Sequence, residues 1–100
     1  MDQTPKSAIL TTLASIPPGK VSSYGEIAKR AGYPGMARYV AMILKQLPED
    51  TRIPWHRVVN HKARSSFAQD SPLYRKQISL LKAEGVNFSK NNTISKQHIW

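Results

Sequence analysis

Ile9, Leu10, Leu13 and Ile16 recur at the spacing of one helical face, which predicts an amphipathic helix. Thr4 and Pro5 suit its N-cap and first helical position, and Pro17-Pro18-Gly19 ends it. Lys20 and Val21 lead out of that turn. Ser23-Tyr24-Gly25-Glu26 reads as a capping box, with Ser23 at the cap and Glu26 returning to it. It opens a short second helix that places Tyr24, Ile27, Ala28 and Ala31 on one side, and Gly32 stands where a left-handed stop belongs. The Gly32-Tyr33-Pro34-Gly35 connection is tight. A third helix is predicted from Met36 to Gln46. Its buried side is Met36, Val40, Ile43, Leu44 and Leu47, while Arg38, Ala41, Met42 and Lys45 lie on another side. Pro48 ends it.

The pattern then changes. Glu49 to Trp55 reads as a loop, Val58-Val59 as a short buried strand, and Asn60 to Ser66 as a polar turn leading to Phe67. Asp70-Ser71-Pro72 opens a last helix that runs to Glu84 and is closed by Gly85, with Leu73, Tyr74, Ile78 and Leu81 as its apolar positions. Residues 87–100, rich in Asn, Ser and Lys, read as a loosely packed tail in which Phe88, Ile94 and Trp100 could dock. The expected fold is mostly α with a minor short β element, one domain over residues 1–100. Two short helices joined by a glycine-containing turn suggest a helix-turn-helix, whose second helix enters a DNA groove.

Charge gives that suggestion a partner. Fifteen Lys+Arg against six Asp+Glu leave a net charge of +9 on 100 residues, the electrostatic footprint of polyanion binding. Charge alone does not separate DNA from RNA or from an anionic membrane. The chain has three histidines and no cysteine, so a structural zinc site is not expected, nor any other metal or cofactor. No apolar run is long enough to span a membrane or to serve as a signal sequence. The expectation is a cytoplasmic monomer.

The chemistry is concentrated at Ile53-Pro54-Trp55-His56-Arg57-Val58-Val59. This heptapeptide resembles the Pro-Cys-His-Arg-Val active-site motif of the O6-alkylguanine-DNA alkyltransferases, with tryptophan in the place of the reactive cysteine. Ile16-Pro17-Pro18-Gly19-Lys20-Val21, Ser23 to Ala28, Arg38-Tyr39-Val40 and Leu80 to Gly85 match the same family in order and spacing, so the resemblance covers about residues 4 to 86. It implies a winged-helix-like helix-turn-helix domain of the alkyltransferase C-terminal type. Only a thiolate can accept the alkyl group, and an indole cannot. The Trp-for-Cys form resembles the alkyltransferase-like proteins of bacteria. That resemblance implies binding of O6-alkylguanine in duplex DNA without transfer, followed by handover to nucleotide excision repair proteins, on DNA of the bacterial nucleoid.

The same resemblance assigns roles. Arg38 matches a finger that enters the base stack from the minor groove and fills the space of an extruded nucleotide; otherwise it is an ordinary phosphate-contacting arginine. Tyr24 matches a residue that helps turn the flipped nucleotide's phosphate; otherwise it is a core tyrosine, and both can hold. Ala41, Met42 and Lys45 complete the DNA-facing side. Trp55, with Pro54 and Val58, is expected in the lesion pocket, where it could stack on the base, wall the pocket or plug the vacated thiol site. His56 and Glu84 match the relay that deprotonates the enzymes' cysteine, here retained, with Arg57, as a structural remnant. Three departures stand out. Leu47 occupies a position where many of the enzymes have asparagine, Tyr39 one that is usually small, and Ala63 to Ala68 correspond only loosely to a glycine-rich loop. Two other functions fit the residues: a dealkylase or glycosylase using His56 and Glu84, and a sequence-specific helix-turn-helix regulator reading the major groove.

Overall fold

The computed structural model describes residues 4–100, so the first three positions of the expected 1–100 domain lie outside the described residues. Helix α1 (Pro5–Ala14) leads through the proline-glycine turn to strand β1 (Ser22–Ser23), helix α2 (Tyr24–Arg30) and helix α3 (Ala37–Lys45). A 3-10 turn over Trp55–Arg57 runs directly into strand β2 (Val58–Val59), helix α4 (Pro72–Ala83) follows, and a second 3-10 turn occupies Lys96–His98. The protein is therefore mostly helical, with one small parallel sheet in which Ser22 lies opposite Val58 and Ser23 opposite Val59. No helix among the described residues is long and apolar enough to cross a membrane.

Three helices start where the sequence places a hydroxyl. Thr4, Ser23 and Ser71 accept from the backbone N–H of Ser7, Glu26 and Tyr74 at 3.1, 3.2 and 3.1 Å. Each bond satisfies one of the donors a helix start leaves open. Helix α3 has no such cap. Met36 precedes it with no side-chain bond, and packing of Val40 and Ile43 holds it instead.

Two apolar clusters meet at β2. Val58 packs with Ile9, Leu13, Ile16, Ile27, Ala28, Val40 and Ile43. Its neighbour Val59 packs with Val21, Leu81, Val86 and Ile94. Successive strand residues point to opposite faces, so this dipeptide joins the helix trio to α4. Whatever precedes Val58 is held from both sides.

Two expectations are corrected. Leu73 is 51% exposed; the side of α4 that turns inward carries Gln77 and Leu81. The segment 87–100 is not a loose tail. Its end pairs with Val21, which donates to His98 O at 2.8 Å and accepts from Trp100 N at 2.9 Å. Ile94 is buried and its N–H donates to Ala63 O at 2.8 Å. The reason is the strand edge: Val21 would otherwise leave a buried donor and acceptor unpaired. The polar composition that suggested looseness belongs to a surface turn closed by Ser89 N donating to Thr93 O at 2.8 Å. Trp100 packs on the first cluster, with the Arg30 guanidinium 3.9 Å from its ring centre.

Candidate nucleic-acid interface

Helix α3 presents two sides. Val40 and Ile43 are buried against the first cluster. Arg38, Met42 and Lys45 are exposed, Met42 at 43%, with Ala41 half-buried between them. The Arg38 and Lys45 side chains make no hydrogen bond or ion pair among the described residues. An exposed methionine flanked by unpaired cations is a surface that can meet both phosphates and base edges.

Helix α2 packs against α3 and brings Tyr24 alongside. The Tyr24 ring packs on the first cluster, and its hydroxyl shares a hydrogen bond of 2.6 Å with Ser66 Oγ at the surface. Tyr24 thus combines a packed ring with a hydroxyl at the surface. Phe67, next to Ser66, meets the Trp55 ring edge-on, centroids 6.1 Å apart at 81°. The loop after β2 thus links Tyr24 to Trp55, a connection that could not be aligned from sequence. The loop is shaped at Ala63, whose φ of 60° is left-handed, a conformation glycine adopts without strain.

Trp55 sits half-buried on the 3-10 turn, with buried Pro54 before it. Lys76 Nζ from α4 lies 5.9 Å from its ring centre. Beside the indole opens a cleft of about 330 Å³, lined by Arg52, Pro54, Trp55, His56, Lys76 and neighbouring residues. Val58, expected to line the lesion pocket, is only 2% exposed and belongs to the core. It anchors the end of the turn in the first cluster.

Below the turn lies a clamp built on Glu84. Oε1 accepts from Gly19 N at 2.9 Å and Arg57 Nε at 3.0 Å; Oε2 accepts from Arg57 Nη2 and from His56 Nε2, each at 2.7 Å. Arg57 Nη1 donates in turn to Ile16 O at 2.7 Å. Burial would raise the Glu84 pKa, but the Arg57 guanidinium, the Gly19 amide and His56 together outweigh it and bring it down from 4.5 to about 2. An ionised carboxylate only accepts, which assigns the bonded proton to His56 Nε2. Gly19 holds a φ of +81° here, and a Cβ on it would stand 3.4 Å from Glu84 O. That contact would be an ordinary one; it is the left-handed backbone that favours glycine here.

The sequence pattern does not single out Gln77. It is fully buried on α4, and Nε2 donates to His56 O at 3.1 Å and Val58 O at 2.9 Å. It pins both ends of the segment that follows Trp55. The signal was a polar residue four positions from Leu73 and from Leu81, on what periodicity marks as an apolar face. Nothing in the pattern could have brought Lys76 to Trp55.

A helix pair with an unpaired cationic side, set beside an aromatic residue on a clamped turn, is the arrangement of a family of DNA-repair domains. Residues 4–86 match the model of 6-O-methylguanine DNA methyltransferase, DNA binding domain, and the chain belongs to that family. It is similar to the DNA base-flipping protein of Vibrio parahaemolyticus, 43% identical over 93 residues that cover 92% of this chain and 91% of that protein. Alkyltransferase-like protein 1 of Schizosaccharomyces pombe is 41% identical over 78 residues, covering 78% of this chain and 72% of that one. The crystal structure of S. pombe Atl1 in complex with damaged DNA containing O6-carboxymethylguanine superposes with a TM-score of 0.83 at 32% identity, covering 100% of this chain and 98% of that chain.

Proposed function

We propose that this chain is a non-enzymatic reader of O6-alkylguanine in duplex DNA. The observation that carries the proposal is Trp55: the clamped turn of the family's reactive site is intact, and the residue it presents is an indole in a chain without cysteine. Alkyl transfer has no acceptor here. In this reading α3 lies in the minor groove, Arg38 enters the stack, Ala41, Met42 and Lys45 contact the groove and its phosphates, and Tyr24 meets the phosphate of the extruded nucleotide. Extrusion costs a few kcal/mol and is easiest for a weakened pair, such as one containing O6-alkylguanine. Trp55 and Pro54 then wall the pocket that receives the base. The DNA-bound and base-flipping relatives support this reading, and we extend it to a bacterial monomer on nucleoid DNA that passes the lesion to nucleotide excision repair proteins.

The clamp argues against a dealkylase or glycosylase using His56 and Glu84. Both carboxylate oxygens already accept two donors, and a carboxyl with a pKa of about 2 is a poor proton acceptor at neutral pH. Titration of the protein with matched duplexes, with and without O6-methylguanine, tests the proposal. Tighter binding of the alkylated duplex is expected, with the masses of protein and oligonucleotide unchanged after long incubation. Equal affinity for both duplexes would overturn it, and a preference among undamaged sequences would point to a regulator. Loss of the alkyl group or the base would establish an enzyme.

A further inference from the structure

The cleft beside Trp55 carries charge that damage reading as such does not use. Arg52, Arg57, Lys76, His56 and Glu49 all line it. Arg57 and His56 are committed to Glu84. The ion pairs among the described residues are Arg30–Glu26, His56–Glu84 and Arg57–Glu84, so Glu49 pairs with none of these cations. Arg52 and Lys76 are therefore exposed cations without a counter-ion, one on the loop before Trp55 and one on α4, on the wall of a single cleft.

We propose that this cleft selects O6 substituents that end in an anion, carboxyalkyl groups above all, with Lys76 and Arg52 as the specificity-determining residues. The inference rests on the reading of Trp55 as a wall of the lesion pocket. A cleft of about 330 Å³ is about ten times the roughly 30 Å³ share of one water, room for a substituent of several atoms at the edge of the base. A substituent of several atoms running along the indole reaches the cations. Lys76, 5.9 Å from the ring centre, can meet a carboxylate there without giving up the aromatic face. Arg52 can donate both arms of its fork to the same carboxylate. The Thr51 hydroxyl accepts from Ile53 N at 3.1 Å and keeps its own proton to donate. Glu49 opposes an anion, one acid against two free cations.

The same two cations could instead hold a DNA phosphate, and the test separates the sources. Affinities are measured for one duplex carrying guanine, O6-methylguanine, O6-propylguanine or O6-carboxymethylguanine, the last two being close in size and unlike in charge. The wild type is expected to favour carboxymethyl over propyl by about fivefold, the worth of one partly exposed ion pair. Lys76→Met with Arg52→Gln should bring that ratio to about one, and Glu49→Gln should raise it. Thermal unfolding of the variants shows that they fold. A ratio near one in the wild type, with every lesion still favoured over guanine, overturns the inference and leaves the lesion-reader proposal standing. No preference for any lesion overturns both. Equal weakening on all duplexes in the double variant, with a shallower salt dependence, assigns the cations to phosphate and overturns the inference.

Discussion

Glu84 accepts hydrogen bonds from three residues, and its effect is measurable by acid. Its pKa falls from 4.5 to about 2 on folding. A group with a depressed folded pKa contributes stability that is complete above its unfolded value and is lost as pH drops through the folded one. Urea unfolding should therefore show wild-type stability falling between about pH 4.5 and 2. Glu84→Gln should cost on the order of 2 kcal/mol at neutral pH, as expected for hydrogen bonds to a charged group, and should flatten that acid limb. At Trp55 the expectation concerns binding. Trp55→Ala should weaken the complex with an O6-methylguanine duplex by about 1–3 kcal/mol, the range for a base–aromatic contact, with little change for undamaged duplex in the same titration. Arg38→Ala should lower the preference for the lesion by about tenfold, since an unfilled stack leaves part of the few kcal/mol of extrusion uncompensated.

At the scale of elements, the parts legible in the sequence were those governed by local rules. The capped starts of α1, α2 and α4 follow from Thr4, Ser23 and Ser71, and the glycine and proline stops fall where expected. The family was equally legible, because five motifs kept their spacing. Illegible were the contacts between elements distant in the chain. Ser66 reaches Tyr24 across 42 positions, and no periodicity encodes that. Leu73 misled because an apolar residue at a helical spacing need not be buried, and Gln77 was hidden by the assumption that an inward face is apolar. Gln77→Leu makes the role of α4 testable. It leaves two backbone carbonyls without their donor and should destabilise the protein by about 1–3 kcal/mol, read as a drop in melting temperature, and should weaken lesion binding more than undamaged-duplex binding.

Across the whole molecule, the segment 87–100 changes the picture most. Composition marked it as loose, yet it completes a strand edge and covers the cluster of Val59 and Leu81. Ile94→Ala should cost about 2–5 kcal/mol, which at this size lowers the melting temperature by at least about 8 °C. Polar composition describes the surface of such a segment and is silent about a few apolar anchors such as Ile94. One further consequence belongs to the Gly19 amide. It lies in a surface turn, where hydrogen exchange is ordinarily fast, but its bond runs to a carboxylate 65 positions away. That amide can exchange only when the last helix lifts from the first turn. Its protection therefore clocks an opening that no nearby backbone ladder reports, and one proton on a glycine records how often the floor beneath the indole gives way.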